Sequence, residues 1–229
     1  MIAILGDGIL GSELAAQTGW NNISRAKDGF DITDNSTWDN LLIGFNCIIN
    51  CIAYTDTYSH DFDLNWKVNV QGVKNLIDYC NHNNIKIVHI STDHIYSNSK
   101  PCASEKDVPV HLCTWYGYSK LIGDALVQLE SKNYLICRES HKPFPFPYQK
   151  AWSDQFTNGD YVTTISGLII KLILSGASGV YNVGTDIKTW ADLTGSEPIS
   201  KPEYTPDDIT MDITKMNEFL KSKSYTVKD

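Results

Sequence analysis

Apolar residues follow two different spacings along the first 140 positions of the chain. Continuous apolar runs predict buried strands, with Ile23 at the centre of a weaker one; the runs are residues 2–5, 47–52, 85–90 and 134–137. Helical patterns fall between them, at residues 11–18, 35–42, 64–80 and 116–129. This alternation predicts an α/β fold, with a doubly wound parallel sheet covered by helices on both faces.

The alternation weakens after Arg138. Three prolines within residues 142–148 exclude a helix there. Beyond them the pattern predicts a helix, a short strand and a last helix, at residues 162–174, 180–183 and 213–220. We therefore expect a body at residues 1–140 and a small, reduced lobe at residues 141–229, packed on the body as a single unit.

The composition is that of a folded, acidic protein. Of the 229 residues, 42% are hydrophobic and 20% are charged, and the formal net charge is −8. The apolar fraction excludes a disordered chain, and the negative charge argues against nucleic acid or an anionic membrane as a partner. The longest apolar stretch is too short to span a bilayer and no basic region precedes the first apolar run, so we expect neither a membrane-spanning segment nor a signal peptide. Six cysteines without a CxxC pair and six scattered histidines indicate a cytoplasmic protein with reduced thiols and no metal.

A glycine-rich loop follows the first apolar run. Gly6, Gly8 and Gly11 have the spacing GxGxxG between a predicted strand and a predicted helix. In that position the first glycine allows a tight turn, the second lets a pyrophosphate approach the backbone, and the third lets the helix pack closely on the strand. The loop therefore indicates a dinucleotide cofactor, and an ordinary glycine-rich turn is the alternative.

The charges after the second predicted strand bear on which nicotinamide cofactor binds. Arg25 and Lys27 stand where NAD-binding proteins carry an acidic residue for the ribose hydroxyls. Because a cation suits a 2′-phosphate, we expect NADPH. NADH stays open, since Asp28 or Asp31 can accept hydrogen bonds from the adenosine hydroxyls and the two cations can equally be solvated surface charges.

A tyrosine and a lysine four residues apart, Tyr116 and Lys120, form the pattern YxxxK. On a helix they share one face, where the ammonium lowers the pKa of the phenol so that it can exchange a proton with a carbonyl or an alcohol. The pair alone is common by chance. Thr92, however, stands at the carboxyl end of a predicted parallel strand, where open α/β sheets bind ligands. A glycine loop, this hydroxyl and YxxxK, in that order, predict an oxidoreductase.

With these motifs the chain resembles the extended short-chain dehydrogenase/reductases, and within them the dTDP-4-dehydrorhamnose reductases and related nucleotide-sugar reductases. The resemblance is dense up to about residue 140 and thin beyond it. Besides the glycine loop, it rests on DITD, NCIAYTD, NVQG, STDHIY, YGYSK and GVYNVG, at residues 31–34, 50–56, 69–72, 91–96, 116–120 and 179–184.

The resemblance implies a Rossmann body that binds NADPH and a nucleotide-sugar substrate. It implies Tyr116 as the proton donor, Lys120 as the residue that lowers its pKa and holds the nicotinamide ribose, and Thr92 as a hydrogen-bonding partner of the substrate oxygen. Tyr116 and Lys120 are themselves expected at the cofactor. Together with Arg25, the remaining residues expected there are Gly6, Gly8, Ile9, Leu10, Gly11, Asp31, Ile32, Ile52, Ala53 and Tyr54. Those expected at the substrate, beside Thr92, are Asp93, His94 and Arg138.

Several features depart from the family pattern. The glycine loop is one residue shorter than the usual GxxGxxG, and His94 stands where the reductases carry a tyrosine. This histidine is a hydrogen-bonding partner of the sugar, a second acid/base, or a satisfied polar residue at a strand end. His141 stands where the family often has a tryptophan near the substrate.

The segment 142–148 replaces a helix of the family. Its aromatic residues Phe144, Phe146 and Tyr148 either floor a pocket for a sugar or a pyrimidine by stacking, or pack the connector onto the body.

These observations favour an NADPH-dependent reductase of a nucleotide-linked 4-keto-6-deoxy sugar, in deoxysugar or rhamnose biosynthesis, with Tyr116 as the proton donor. One alternative is a bifunctional epimerase/reductase of a UDP-linked sugar. Another is a non-catalytic NADP-binding subunit of the same fold, as in the regulatory subunit of methionine adenosyltransferase, which the reduced lobe keeps open. A homo-oligomer or a partner subunit is compatible with each.

Overall fold

The computed structural model describes residues 1–107 and 114–224. It divides into two compact units, of which the first comprises Met1–Ser91 and Thr114–Cys137. The second takes its described residues from 92–107 and 138–224. This division differs from a single boundary at residue 140, because the segment that follows residue 91 groups with the C-terminal part of the chain.

Strands and helices alternate through the first unit. Its strands, the last two of which end within the second unit, are β1 (Ile2–Leu5), β2 (Asn21–Ile23), β3 (Cys47–Asn50), β4 (Lys86–Thr92) and β5 (Tyr134–Glu139). Its helices are α1 (Ile9–Thr18), α2 (Arg25–Asp28), α3 (Trp38–Leu42), α4 (Phe62–Trp66), α5 (Val73–His82) and α6 (Trp115–Glu130). A turn of π-helix, Lys67–Gly72, joins α4 to α5, so the helix predicted at 64–80 is continuous but contains a wider turn.

The second unit is built from shorter elements. Its strands are β6 (His141–Lys142), β7 (Lys150–Trp152), β8 (Phe156–Thr157), β9 (Asp160–Tyr161), β10 (Gly179–Asn182), β11 (Lys188–Thr189) and β12 (Glu197–Ile199). Its helices are α7 (Val162–Leu174), α8 (Trp190–Thr194) and α9 (Thr214–Ser224), and one 3₁₀ turn covers Asp93–Tyr96. No helix occurs within 142–148, as the prolines predicted.

The main sheet has six strands in the order β10-β5-β4-β3-β1-β2. Strand β1 pairs in parallel with β2 and with β3, so that Leu5 lies opposite both Ile23 and Asn50, and β3 pairs in parallel with β4. From β1 the chain first adds β2 on one side of the sheet and then adds β3, β4 and β5 on the other side. The point where the strand order reverses in this way is the ligand crevice of doubly wound sheets. The predicted α/β fold of the Rossmann type is confirmed.

The apolar runs form the core of the first unit. Ile4, Leu5, Ile48 and Ile49 are each 0% exposed. Consecutive residues of a strand point to opposite faces, so burial of both neighbours shows that helices cover both faces of the sheet. Within the described ranges, no helix has the length and apolar character needed to cross a bilayer.

Candidate functional site

The glycine loop joins β1 to α1 through three glycines with different surroundings. Gly6 has the left-handed φ of +99°, and a Cβ on Gly11 would lie only 2.1 Å from the Gly6 carbonyl oxygen. A Cβ on Gly8, by contrast, would meet no described atom within 4 Å. Close packing therefore requires Gly11, whereas the backbone at Gly8 is open to a ligand at the N-terminus of α1.

A cavity of about 300 Å³ lies beside this loop, inside the first unit. It brings together eight of the residues predicted at the cofactor, namely Gly6, Gly8, Arg25, Asp31, Ile32, Ile52, Ala53 and Tyr54. Asp7, Phe30 and Val68 complete the lining. Leu10 and Gly11 are buried in α1 and Ile9 is exposed, so these three predicted residues are outside the lining. Tyr116 and Lys120 of α6, which are also predicted at the cofactor, are outside it too.

An arginine and an aspartate share one wall of this cavity. Arg25 Nη2 lies 3.3 Å from Asp31 Oδ2, and the arginine side chain is 82% exposed. The backbone N–H of Thr33 donates to Asp31, and this hydrogen bond, helped by the Thr33 hydroxyl and Arg25, lowers the pKa of the carboxyl despite partial burial. The wall therefore offers a cation for a phosphate and an ionised acceptor for ribose hydroxyls at one place.

The loop after β3 is held by two asparagines. Asn50 Oδ1 accepts from Ile52 N at 3.1 Å, and Asn69 Oδ1 accepts from Tyr54 N at 2.8 Å. Asn69 Nδ2 donates to the Tyr54 carbonyl at 3.0 Å and to Ser119 Oγ of α6 at 2.9 Å. Asn69 thus connects the cavity wall to the helix that carries YxxxK. The sequence reasoning gave it no role, although an asparagine within an apolar helical stripe was a signal.

Tyr116 and Lys120 lie on one face of α6, whose first turn is capped by Thr114. Their side chains are buried, with residue exposures of 9% and 4%. Lys120 Nζ donates to the Ile90 carbonyl of β4 at 2.6 Å. Burial, together with Lys120, holds the pKa of the neighbouring His89 well below its usual range, so that histidine is neutral. The hydrogen bond to the Ile90 carbonyl therefore orients the lysine against the sheet.

The other predicted side chains belong to the second unit. Thr92 Oγ1 accepts from His94 N at 3.2 Å and lies 3.3 Å from Asp93 Oδ1. Burial, and then the charge of Glu139, raise the pKa of Asp93 to about 7. Burial, and then Lys142, lower the pKa of His94 to about 4, so His94 is neutral at pH 7 and suits hydrogen bonding better than acid catalysis.

Arg138 lies in a buried network of the second unit. It is 5% exposed, and its Nη1 donates to the Tyr96 hydroxyl at 2.6 Å. That hydroxyl is also 3.0 Å from Asn182 Oδ1. These contacts give Arg138 a packing role, and its predicted contact with substrate stays a prediction.

Glu139 and His141 form a pair that the sequence reasoning did not include in the site. His141 Nδ1 lies 3.0 Å from Glu139 Oε2 and 3.2 Å from Oε1. The Glu139 side chain is 5% exposed and that of His141 is 22% exposed. The sequence feature that indicates this pair is the spacing of two residues, because residues i and i+2 of an extended chain point to the same side.

The three aromatic residues of the 142–148 segment contact other parts of the second unit, and the two roles expected for them stay predictions. The Phe144 ring packs edge-on against Tyr161, with centroids 5.0 Å apart. Phe146 and Tyr148 line a second cavity, of about 280 Å³, together with Lys142, Lys150, Ala151, Trp152 and Trp190. In the part of the chain that is described, no group of three or more histidines, cysteines or acidic residues is arranged to hold a metal ion.

Comparison with protein families matches residues 1–141 to the model described as RmlD substrate binding domain. The chain is 31% identical over 114 residues to a dTDP-4-dehydrorhamnose reductase of Aggregatibacter actinomycetemcomitans, a match that covers 48% of this chain and 39% of the relative. The match to the spore coat polysaccharide biosynthesis protein SpsK of Bacillus subtilis is 26% identical over 209 residues and covers 81% and 74% of the two chains. The chain thus spans about two fifths of the first relative.

Solved structures share the fold over nearly the whole chain. The dTDP-4-dehydrorhamnose reductase of Bacillus anthracis, solved in complex with NADP, has a TM-score of 0.80 at 22% identity and covers 99% of both chains. A UDP-glucuronic acid 4-epimerase of Bacillus cereus, solved with NAD, has a TM-score of 0.76 at 18% identity and covers 96% and 92%. Both comparisons include the region after residue 141.

Proposed function

Because the chain belongs to the RmlD substrate-binding-domain family, we propose that it is an NADPH-dependent reductase of a nucleotide-linked 4-keto-6-deoxy sugar. The observation that carries this proposal is the arrangement of the first unit. A glycine loop with open backbone at Gly8 borders a cavity, and α6 in the same unit presents a buried tyrosine and lysine.

The residues of the cavity fit a dinucleotide. A pyrophosphate approaches the backbone at Gly8, where no described side chain or backbone atom obstructs it. The adenosine lies along Asp31 and Ile32, and Arg25 supplies the positive charge that a 2′-phosphate requires. The dTDP-4-dehydrorhamnose reductase structure of Bacillus anthracis, which holds NADP, supports the choice of NADPH over NADH.

When bound, NADPH supplies a hydride to the keto carbon. Tyr116 donates a proton to the substrate oxygen, and Thr92 hydrogen-bonds the same oxygen. Lys120, oriented by its hydrogen bond to the Ile90 carbonyl, favours the phenolate that Tyr116 becomes. Asp93 and His94 contact the sugar. These roles rest on the match of STDHIY and YGYSK to the family pattern.

The names of the curated relatives support a nucleotide-linked deoxysugar as the substrate. We place the reaction in the cytoplasm because six cysteines without a CxxC pair are typical of proteins that keep their thiols reduced.

The test is oxidation of NADPH by the purified protein with a nucleoside-diphosphate 4-keto-6-deoxyhexose, in parallel with NADH. We expect turnover with NADPH and a loss of about 10²–10⁴-fold in Tyr116→Phe. Tyr118→Phe, on the same helix at a position that is 38% exposed, is the matched control and should retain activity. Tight NADPH binding without turnover on dTDP- and UDP-linked ketosugars would instead favour a non-catalytic subunit.

A further inference from the structure

We propose that His141, held by the Glu139 carboxylate, moves a proton to and from the carbon next to the carbonyl of the bound substrate, so that the protein also catalyses keto–enol exchange of that substrate. The identity of the substrate rests on the proposed function above. The exchange itself requires no hydride transfer, so the two activities are measured separately.

The geometry of the pair fixes which imidazole nitrogen is available. Nδ1 faces both oxygens of the Glu139 carboxylate, at 3.0 and 3.2 Å, and an ionised carboxylate only accepts hydrogen bonds. The imidazole proton is therefore held on Nδ1 in the neutral ring. Nε2 is left with the lone pair that a general base uses.

The carboxylate of the pair is buried and the imidazole is more exposed, as expected for a base that a second residue orients. Glu139 is 5% exposed and is shielded from water, whereas His141 is 22% exposed and can be reached by a ligand. A buried carboxylate that orients a more accessible imidazole, and stabilises its protonated form, is a recurring arrangement for proton transfer. Glu139 is thus a positioning residue, and His141 is the group that would touch the substrate.

Charged groups on three elements face the imidazole. They are Glu139 at the end of β5, Lys142 beside it in β6, and Asp93 in the 3₁₀ turn. Burial disfavours the imidazolium and Lys142 repels it, but Glu139 and Asp93 outweigh them and raise the pKa of His141 above its ordinary 6.5. Glu139 and Asp93 therefore favour the imidazolium that forms when the imidazole takes up a proton. His94, with a pKa of about 4, lacks this property.

The pair belongs to the same polar cluster as Thr92. Asp93 lies 3.3 Å from Thr92 Oγ1, and Glu139 is the largest charge that raises the pKa of Asp93. Thr92 is the residue proposed to hold the carbonyl oxygen. In the proposed complex, the carbon next to a carbonyl held at Thr92 lies against this cluster.

The reaction balances without an oxidant or a reductant. His141 Nε2 takes the proton, the C–H electron pair forms a carbon–carbon double bond, and the carbonyl oxygen becomes an enolate that the Thr92 hydroxyl hydrogen-bonds. The imidazolium exchanges its proton with water. Return of a proton to carbon then restores the ketone with a hydrogen from solvent.

The experiment is deuterium incorporation from D₂O into a nucleoside-diphosphate 4-keto-6-deoxyhexose at the positions next to the keto group, followed by NMR without NADPH. We expect exchange by the unaltered protein and a loss of about 100-fold or more in His141→Gln. His82→Gln, at an exposed position of α5, is the matched control and should exchange normally. Absence of exchange in the unaltered protein, or normal exchange in His141→Gln, overturns the proposal.

Glu139→Gln provides a second, nearly isosteric test. Exchange should increase with pH as His141 loses its proton, and without the carboxylate the midpoint of that increase should move to lower pH while the plateau falls about tenfold or more. An unchanged pH profile overturns the role of Glu139. NADPH oxidation is measured on the same preparations. Oxidation without exchange leaves only the reductase proposal standing, and exchange without oxidation leaves only this one.

Discussion

Asn69 and Tyr54 exchange two hydrogen bonds, in which Tyr54 N donates to Asn69 Oδ1 at 2.8 Å and Asn69 Nδ2 donates to the Tyr54 carbonyl at 3.0 Å. The side chain thereby replaces a backbone partner for a loop that lines the cavity. Asn69 lies in the π-helical turn, and such turns are frequent at functional sites. The relationship explains why an amide is buried among the apolar residues of this helix.

Asn69→Ala should destabilise the fold and loosen the cavity wall. It leaves the Tyr54 backbone groups without their partner, which costs about 1–3 kcal/mol in the free energy of unfolding. Urea unfolding and an NADPH titration measure the two effects. Asn217→Ala, at an exposed position of α9, is the control and should change neither. An Asn69→Ala protein as stable as the control would contradict this account of the loop.

Substitutions at two glycines of the loop should affect different properties, one of them stability and the other cofactor binding. In Gly11→Ala the new Cβ would lie 2.1 Å from the Gly6 carbonyl oxygen, so we expect a loss of about 1–3 kcal/mol or more in unfolding free energy. Gly8→Ala meets no described atom within 4 Å and should unfold like the wild type. It should nevertheless bind NADPH about tenfold or more weakly, because its methyl group occupies the approach of the pyrophosphate. Equal effects of the two substitutions on stability would contradict the assignment.

Arg25 should determine the preference between the two nicotinamide cofactors. Its guanidinium, 82% exposed at the cavity wall, can bond a 2′-phosphate. Arg25→Ala should therefore lower kcat/KM with NADPH about tenfold or more and leave kcat/KM with NADH within about twofold. Lys132→Ala, at an exposed position outside the cavity lining, is the control. An unchanged ratio of the two constants would show that the 2′-phosphate is recognised elsewhere.

Asp93 should make stability fall as pH rises. Its folded pKa of about 7 exceeds the ordinary 3.8, so the folded state holds a proton that the unfolded state releases between these values. This contribution to stability is complete below pH 4 and is lost by about pH 7. Relative to Asp93→Asn, the wild type should lose on the order of 4 kcal/mol across that range.

Urea unfolding from pH 4 to pH 8 measures this difference. Asp186→Asn, an exposed position of the same unit, controls for the general charge effect. A difference between wild type and Asp93→Asn that does not depend on pH would show that folding does not raise the pKa of Asp93.

The spacing of apolar residues predicts the strands and helices whose positions are determined by burial. Apolar spacing alone predicts the fully buried β3 and the apolar helix α7, and α7 begins and ends at the predicted residues 162 and 174. The glycine loop was found because its chemistry depends on consecutive residues. By contrast, Asn69 acts through partners 15 and 50 positions away, and such contacts leave no local pattern.

The Glu139–His141 pair was missed for a different reason. Its two residues are close in sequence, but whether they meet depends on the chain staying extended between β5 and β6. The burial that shifts the pKa values of Asp93 and His94 in opposite directions is likewise a tertiary effect. The role of His94 as a second acid/base followed from residue type alone, and its lowered pKa favours His141 for that role.

Hydride from NADPH should reach the keto carbon of a nucleotide-linked sugar. A single turnover tests this, with NADPH that carries two deuterium atoms at C4 of the nicotinamide and a nucleoside-diphosphate 4-keto-6-deoxyhexose. The product is analysed by mass spectrometry and NMR. We expect one deuterium at sugar C4 in the wild type and none in Tyr116→Phe under the same conditions. A reduced sugar without deuterium at C4, or no reduced sugar although NADPH is bound, would contradict this expectation.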